Sequence, residues 1–102
     1  MIDLAKLIAE KKDAIKSVCA KHGACDVRVF GSVARGDFDD KSDVDILIKL
    51  DSSNMEGMTY FRVLEDIHEE LEALLGRPVD VVDEKGLKER LKADVLAEAI
   101  AL

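Results

Sequence analysis

Between Ala24 and Leu50 the chain carries two short apolar runs joined by a Gly-Ser turn and an acidic loop, and this connection constrains the fold more than any other stretch. In the first run Val27 and Val29 alternate with Arg28 and Phe30. In the second, from about Asp43 to Leu50, Val44, Ile46 and Ile48 alternate with Asp43 and Asp45. That alternation is strand spacing. Gly31-Ser32 ends the first strand, and Val33-Ala34-Arg35 leaves room for only one or two helical turns before Gly36. Asp37 to Ser42 is acidic and turn-like. So short a link makes the two strands antiparallel neighbours, because a parallel pair needs a long crossover.

The second strand sets two carboxylates side by side. Successive side chains on a strand point to opposite faces, so Asp43 and Asp45 share one face while Val44, Ile46 and Ile48 turn to the core. Paired carboxylates repel each other and cost stability unless a cation lies between them. Hard oxygen donors suit Mg²⁺, which is held by one or two carboxylates together with the phosphates of a substrate. Upstream, Gly31 lets backbone approach a phosphate closely, and Ser32 begins a short helix whose free N–H groups favour an anion. The Ser32 hydroxyl adds one further donor. These residues predict a phosphate-handling site, with two Mg²⁺ ions on the aspartates aligning an incoming hydroxyl and a triphosphate. Such a site acts by in-line positioning and charge neutralisation.

Elsewhere the pattern is mostly helical. Leu4, Leu7, Ile8, Ile15, Val18 and Cys19 predict a helix from Asp3 to about Lys21, with Asp3 as its N-cap and Gly23 as its stop. Met58, Phe61, Leu64, Ile67, Leu71, Leu74 and Leu75 predict the clearest helix, with these residues as a core stripe; Gly76 and Pro78 end it. Val79-Asp80-Val81-Val82 reads as a third short strand, and Leu87, Leu91, Val95, Leu96 and Ile100 predict one or two closing helices. The long helix between the second and third strands suits a right-handed crossover and a parallel pair. The expected fold is α/β (α+β): one domain over residues 1–102, with a small mixed three-stranded sheet and about four helices mainly on one face. Asp80 then falls near Asp43 and Asp45, as a third metal ligand or as a base for the attacking hydroxyl.

Composition narrows the partners. A formal charge of −7 with no Lys/Arg-rich run argues against direct nucleic-acid binding. No membrane span or signal peptide is expected, since Met1-Ile2-Asp3-Leu4-Ala5-Lys6 becomes charged almost at once. Cys19 and Cys25 match no zinc or redox spacing and read as buried free thiols of a reducing compartment, so a cytoplasmic protein is expected.

Gly31-Ser32, ten residues, then Asp43-x-Asp45 resembles the signature of the DNA polymerase β-type nucleotidyltransferases. The longer run G-S-V-A-R-G-D…S-D-V-D-I-L-I is similar to the minimal nucleotidyltransferases, which are often paired as antitoxins with HEPN-domain toxins. The resemblance covers about residues 24 to 83. It implies a polymerase β-like nucleotidyltransferase fold, with Gly31 and Ser32 on the phosphates of the nucleotide. Asp43, Asp45 and Asp80 become the metal-binding and catalytic carboxylates. Arg35 matches the family's arginine in the same turn, where it touches phosphate or partner or pins the acidic loop. The implied reaction is Mg²⁺-dependent transfer of a nucleotide, most simply AMP from ATP, to a hydroxyl. In the antitoxin branch that hydroxyl resembles a tyrosine of the HEPN toxin.

Plainer roles compete for several of these residues. Asp43 and Asp45 also fit a solvated edge-strand face, and Ser32 also fits an N-cap. Asp83 rivals Asp80, although it equally fits a cap for the next helix. Asp37, Asp39 and Asp40 read as loop residues, and His22 and His68 as surface histidines. Two other functions remain open: an antitoxin that neutralises its partner by occlusion, and nucleotidyl transfer to a small molecule.

Overall fold

In a computed structural model describing residues 3–53 and 55–102, α1 (Leu4–Lys21) starts where Asp3 accepts a hydrogen bond from the Lys6 N–H at 3.1 Å. Met1 and Ile2, part of the charged N-terminal stretch, lie outside the described residues. The chain then runs through β1 (Ala24–Phe30), α2 (Gly31–Arg35), β2 (Val44–Leu50), α3 (Thr59–Leu75) and β3 (Val79–Asp83). A 3₁₀ turn (Glu84–Gly86), α4 (Glu89–Glu98) and β4 (Ile100–Ala101) close it. β1 and β2 pair antiparallel across their short link, and β2 and β3 pair parallel through α3, as the connection lengths predict.

Period two on β2 divides core from site. Val44, Ile46 and Ile48 are fully buried with Leu4, Ile8, Ile15 and Cys19 of α1 and with Ile67, Leu71 and Leu75 of α3. Burial of each large aliphatic side chain contributes about 1.5–3 kcal/mol, so this layer fixes which β2 face meets solvent. Asp45 is left on the face opposite this core, which it shares with buried Leu47. Burial also pushes the Cys19 thiol up to about 11.

The sheet has four strands rather than three, in the order β3-β2-β1-β4. The expected closing helix stops at Glu98, because the free edge of β1 offers backbone partners to the last residues of the chain. Ile100 pairs with Val29 and Ala101 with Arg28, and the Leu102 N–H donates to the Val27 carbonyl at 3.0 Å. Ile100 is accordingly half exposed instead of helical core. Cys25 is exposed rather than buried, since alternation from buried Ala24 turns it outward. Among the described residues no helix is long and apolar enough to cross a membrane.

The expected α3 stripe holds from Leu64 to Leu75 and departs from the pattern only at its N-terminal end. Tyr60, Val63, Leu64, Ile67 and Leu71 pack on the core, whereas Met58 and Phe61 are 76% and 61% exposed. At that end Tyr60 turns inward and donates its hydroxyl to Asp83 Oδ2 at 2.5 Å. Asp83 is 4% exposed and also accepts from the Lys85 N–H, capping the 3₁₀ turn. Tyr60→Phe leaves that buried carboxylate short of a donor and should cost about 1–3 kcal/mol in a denaturant melt. Burial and Asp83 hold the Tyr60 phenol at about 12 against an ordinary 10.0. A raised folded value means the stabilisation is complete below about pH 10 and is lost as pH rises toward about 12. The Tyr60→Phe variant should lack that alkaline loss.

Candidate active site

Phe30 ends β1 in extended backbone, and Gly31 then turns with φ +74. Phe30 is also the residue paired with Asp45 on β2, so the turn closes directly over that aspartate. A Cβ on Gly31 would stand 2.0 Å from Asp45 Oδ2. The glycine is therefore required twice, by its backbone conformation and by the carboxylate resting against it.

Asp45 faces Asp80 across the β2–β3 ladder, and Asp43 lies one residue before β2. The Asp45 carboxyl is raised above its ordinary value by burial, then by the charges of Asp80 and Asp43, with Arg35 opposing and Glu98 adding to the rise. The expected third carboxylate is thus brought into the cluster. Among the described residues no group of three or more His, Cys, Asp or Glu side chains is placed to hold a metal ion. The residue types suit a hard divalent cation, since all three candidates are oxygen donors and Asp45 and Asp80 are paired across the ladder. Asp80 owes its place to a brace at the start of β3, where Glu72 Oε2 accepts from the Val79 N–H at 3.0 Å.

Asp43 is held from both sides by one dipeptide. Arg77 Nη2 donates to the carbonyls of Asp40 at 2.8 Å and Ser42 at 3.1 Å, just upstream of Asp43. Pro78 accepts from the Val44 N–H at 3.2 Å, just downstream. The loop is knitted further by Asp39, which accepts from the Lys41 N–H and exchanges hydrogen bonds with Ser42. Asp39 thus has the loop role expected of it. Arg77 carried no motif that sequence reasoning used. Arg77→Ala should lower the transfer rate about 10- to 100-fold while KM for the nucleotide holds, as for other residues that orient ligands from behind. Arg77→Lys should recover part of the loss, and faster hydrogen exchange at the Val44 amide would report the loosened loop.

Arg35 pins the acidic loop through Nε to Asp37 Oδ2 at 3.1 Å, one of the roles expected for it. Its Nη1 also lies 3.4 Å from both carboxylate oxygens of Glu98. Glu98 Oε1 accepts from the Gly31 N–H at 2.8 Å. Glu98 ends α4 and reaches this turn from the far end of the chain, so no local pattern could reveal it. Ser32 is half-buried within α2 and is not its N-cap, a position Phe30 holds. His22 pairs with Glu70, and His68 pairs with Glu72 and lines one pocket with Asp80; both histidines are half-buried rather than fully on the surface.

Comparison with known proteins agrees with this geometry. The family model of the nucleotidyltransferase domain matches residues 11–102. The protein adenylyltransferase MntA of Thermococcus cleftensis is 36% identical over 102 residues, covering 95% of this chain and 98% of the relative. A solved structure assigned provisionally as a minimal nucleotidyltransferase superposes with a TM-score of 0.83 at 41% identity, over 96% of this chain and 95% of the other. A chain from a toxin–antitoxin crystal structure with AMP-PNP shares the fold, with a TM-score of 0.70 at 18% identity, over 88% of this chain and 70% of the other. The polymerase β-like fold expected from Gly31-Ser32 and Asp43-x-Asp45 is therefore present, and this chain belongs to the nucleotidyltransferase domain family, among the minimal nucleotidyltransferases.

Proposed function

We propose that this enzyme transfers AMP from ATP to a hydroxyl of a partner protein, a tyrosine of a cognate HEPN toxin, and so acts as an antitoxin. The observation that carries the reading is the Asp45 carboxylate, set between the Gly31 turn and Asp80. Similarity to a protein adenylyltransferase over nearly the full length of both chains supports a protein acceptor. Adenine is supported by the AMP-PNP of a structure that shares the fold.

Each residue has a chemical task in that reading. The Gly31 backbone, the Ser32 hydroxyl and the Arg35 guanidinium hold nucleotide phosphate, all three being donors suited to an anion. Asp43, Asp45 and Asp80 would hold Mg²⁺, which supplies Lewis-acid polarisation of the α-phosphate and neutralises the leaving pyrophosphate. The acceptor hydroxyl oxygen forms a bond to the α-phosphorus while the bond from that phosphorus to the bridging oxygen of pyrophosphate breaks. Asp80 suits the proton released by the hydroxyl, because it stands exposed beside Asp45 at the sheet edge. Such chemistry belongs to the cytoplasm, where both substrates are made.

The test is incubation with the product of the adjacent gene, Mg²⁺ and ATP labelled at the α-phosphate, followed by intact mass of each chain. A metal-dependent adduct of AMP on the partner, absent with the Asp43→Asn/Asp45→Asn variant, is the expected result. A tight complex with no adduct from any nucleoside triphosphate would replace this reading with neutralisation by occlusion.

A further inference from the structure

We propose that Glu98 is a built-in competitor for nucleotide phosphate, holding the Gly31 N–H and the Arg35 guanidinium until a nucleotide displaces it. The inference rests on the nucleotide-binding reading of the Gly31 turn.

Three observations converge on Glu98. Its Oε1 accepts the Gly31 N–H at 2.8 Å, and both its oxygens lie 3.4 Å from Arg35 Nη1. A carboxylate accepts hydrogen bonds as a phosphate oxygen does, with the same sign of charge and the same preference for guanidinium. Glu98 does this beside three other carboxylates, adding to the repulsion that raises Asp45. An acidic side chain gains from such a position only where its donors call for an anion.

The backbone explains why this acid stands there. β4 pairs Ala101 with Arg28 and Ile100 with Val29. Glu98 is the last residue of α4, and only Ala99 separates it from β4, so the docking of β4 on β1 holds the end of α4 beside the Gly31 turn. The element that delivers it is also lightly held. β4 has two residues, both exposed, and α4 has no fully buried residue. Segments with few buried contacts open locally at low cost, so Glu98 can leave without disturbing the core between the sheet, α1 and α3.

A nucleotide must then bind the fraction of molecules in which Glu98 has swung away, and its apparent affinity falls by that fraction. Removing the carboxylate should return the loss. The experiment is calorimetric titration of the full chain with Mg²⁺ and α,β-methylene-ATP. Glu98→Ala should bind about threefold to tenfold more tightly than wild type, the range that one ordinary solvent-exposed hydrogen bond can withhold. Glu98→Gln keeps the size and one acceptor oxygen, so it should fall between the two and guards against a folding defect in the alanine variant. The Gly31 amide resonance should shift in both variants before any nucleotide is added. Unchanged or weaker binding in both variants would overturn the proposal, since Glu98 would then merely brace Arg35. Absence of binding to wild type and both variants would overturn the nucleotide reading itself.

Discussion

Asp45→Asn is expected to leave the protein more stable and nearly inactive. The side chain is close to isosteric, so packing changes little and the effect is one of charge. In the wild type, burial and the neighbouring charges of Asp80 and Asp43 raise the Asp45 carboxyl, and Glu98 adds to this while Arg35 offsets part. Folding must therefore hold an ion where an ion is disfavoured. Removing it should raise Tm by a few degrees, about 2–6 °C. The sign with pH comes from the raised folded value: the folded state takes up the proton more readily, so Asp45 opposes folding at neutral pH and ceases to do so as pH falls. The Tm gap between variant and wild type should accordingly narrow as pH falls toward the ordinary aspartate value of 3.8. Glu70 behaves oppositely, since Lys21 and His22 hold it below its ordinary value and its stabilisation is lost on acidification. Transfer should fall on the order of a thousandfold, because a metal-holding charge is worth several kcal/mol in the transition state and each 1.4 kcal/mol is tenfold. Stability gained with activity lost is the mark of a residue kept for chemistry. A fall in Tm with transfer intact would remove Asp45 from the site.

What was legible in the sequence was what local periodicity controls. Strand alternation over Val44 to Ile48 fixed the buried face of β2 and therefore the face of Asp45. Connection lengths fixed the antiparallel and parallel pairings, and the parallel pairing brought Asp80 level with Asp45. Choosing Asp80 over Asp83 also agrees with the geometry, because Asp83 is buried on Tyr60 and caps the next turn.

The remainder depended on contacts between distant segments. Leu87 to Ile100 has helical spacing, yet its last residues become β4 because β1 had an unfilled edge, a fact about the assembled sheet. The same strand delivers Glu98 to Gly31, over a separation no motif spans. Arg77 was invisible for another reason: it binds carbonyl oxygens, and any residue offers those. Met58 and Phe61 matched the apolar period as well as Tyr60 and Val63 did. At the first turn of α3 the inward place goes to Tyr60, whose hydroxyl finds its partner Asp83 on another element.

Gly31→Ala should damage both fold and catalysis, through two separable causes. The first is backbone conformation: at φ +74 an L side chain costs about 1–2 kcal/mol. The second is contact, since the new methyl would lie 2.0 Å from Asp45 Oδ2. That oxygen is the end of a rotatable side chain, so the carboxylate gives way before the backbone does. Its displacement is what harms the reaction, because an error of about 1 Å in a positioned group costs on the order of a hundredfold in rate. A double-mutant cycle separates the two. With Asp45→Ala in the background the contacts at 2.0 and 3.0 Å are removed and only the one with the remaining Cβ at 3.3 Å persists, so the conformational cost should dominate. The stability costs of the two substitutions should therefore be non-additive, with a coupling of about 1–2 kcal/mol, typical for side chains in contact. Denaturant melts of the four proteins give that coupling directly. Additive costs would mean that Gly31 serves its own backbone alone and that Asp45 is positioned by other contacts. Non-additive costs with transfer lost in the single Gly31→Ala variant would establish the turn and the carboxylate as one unit. Gly31 then precedes Asp45 in the signature because the first residue leaves the space the second occupies.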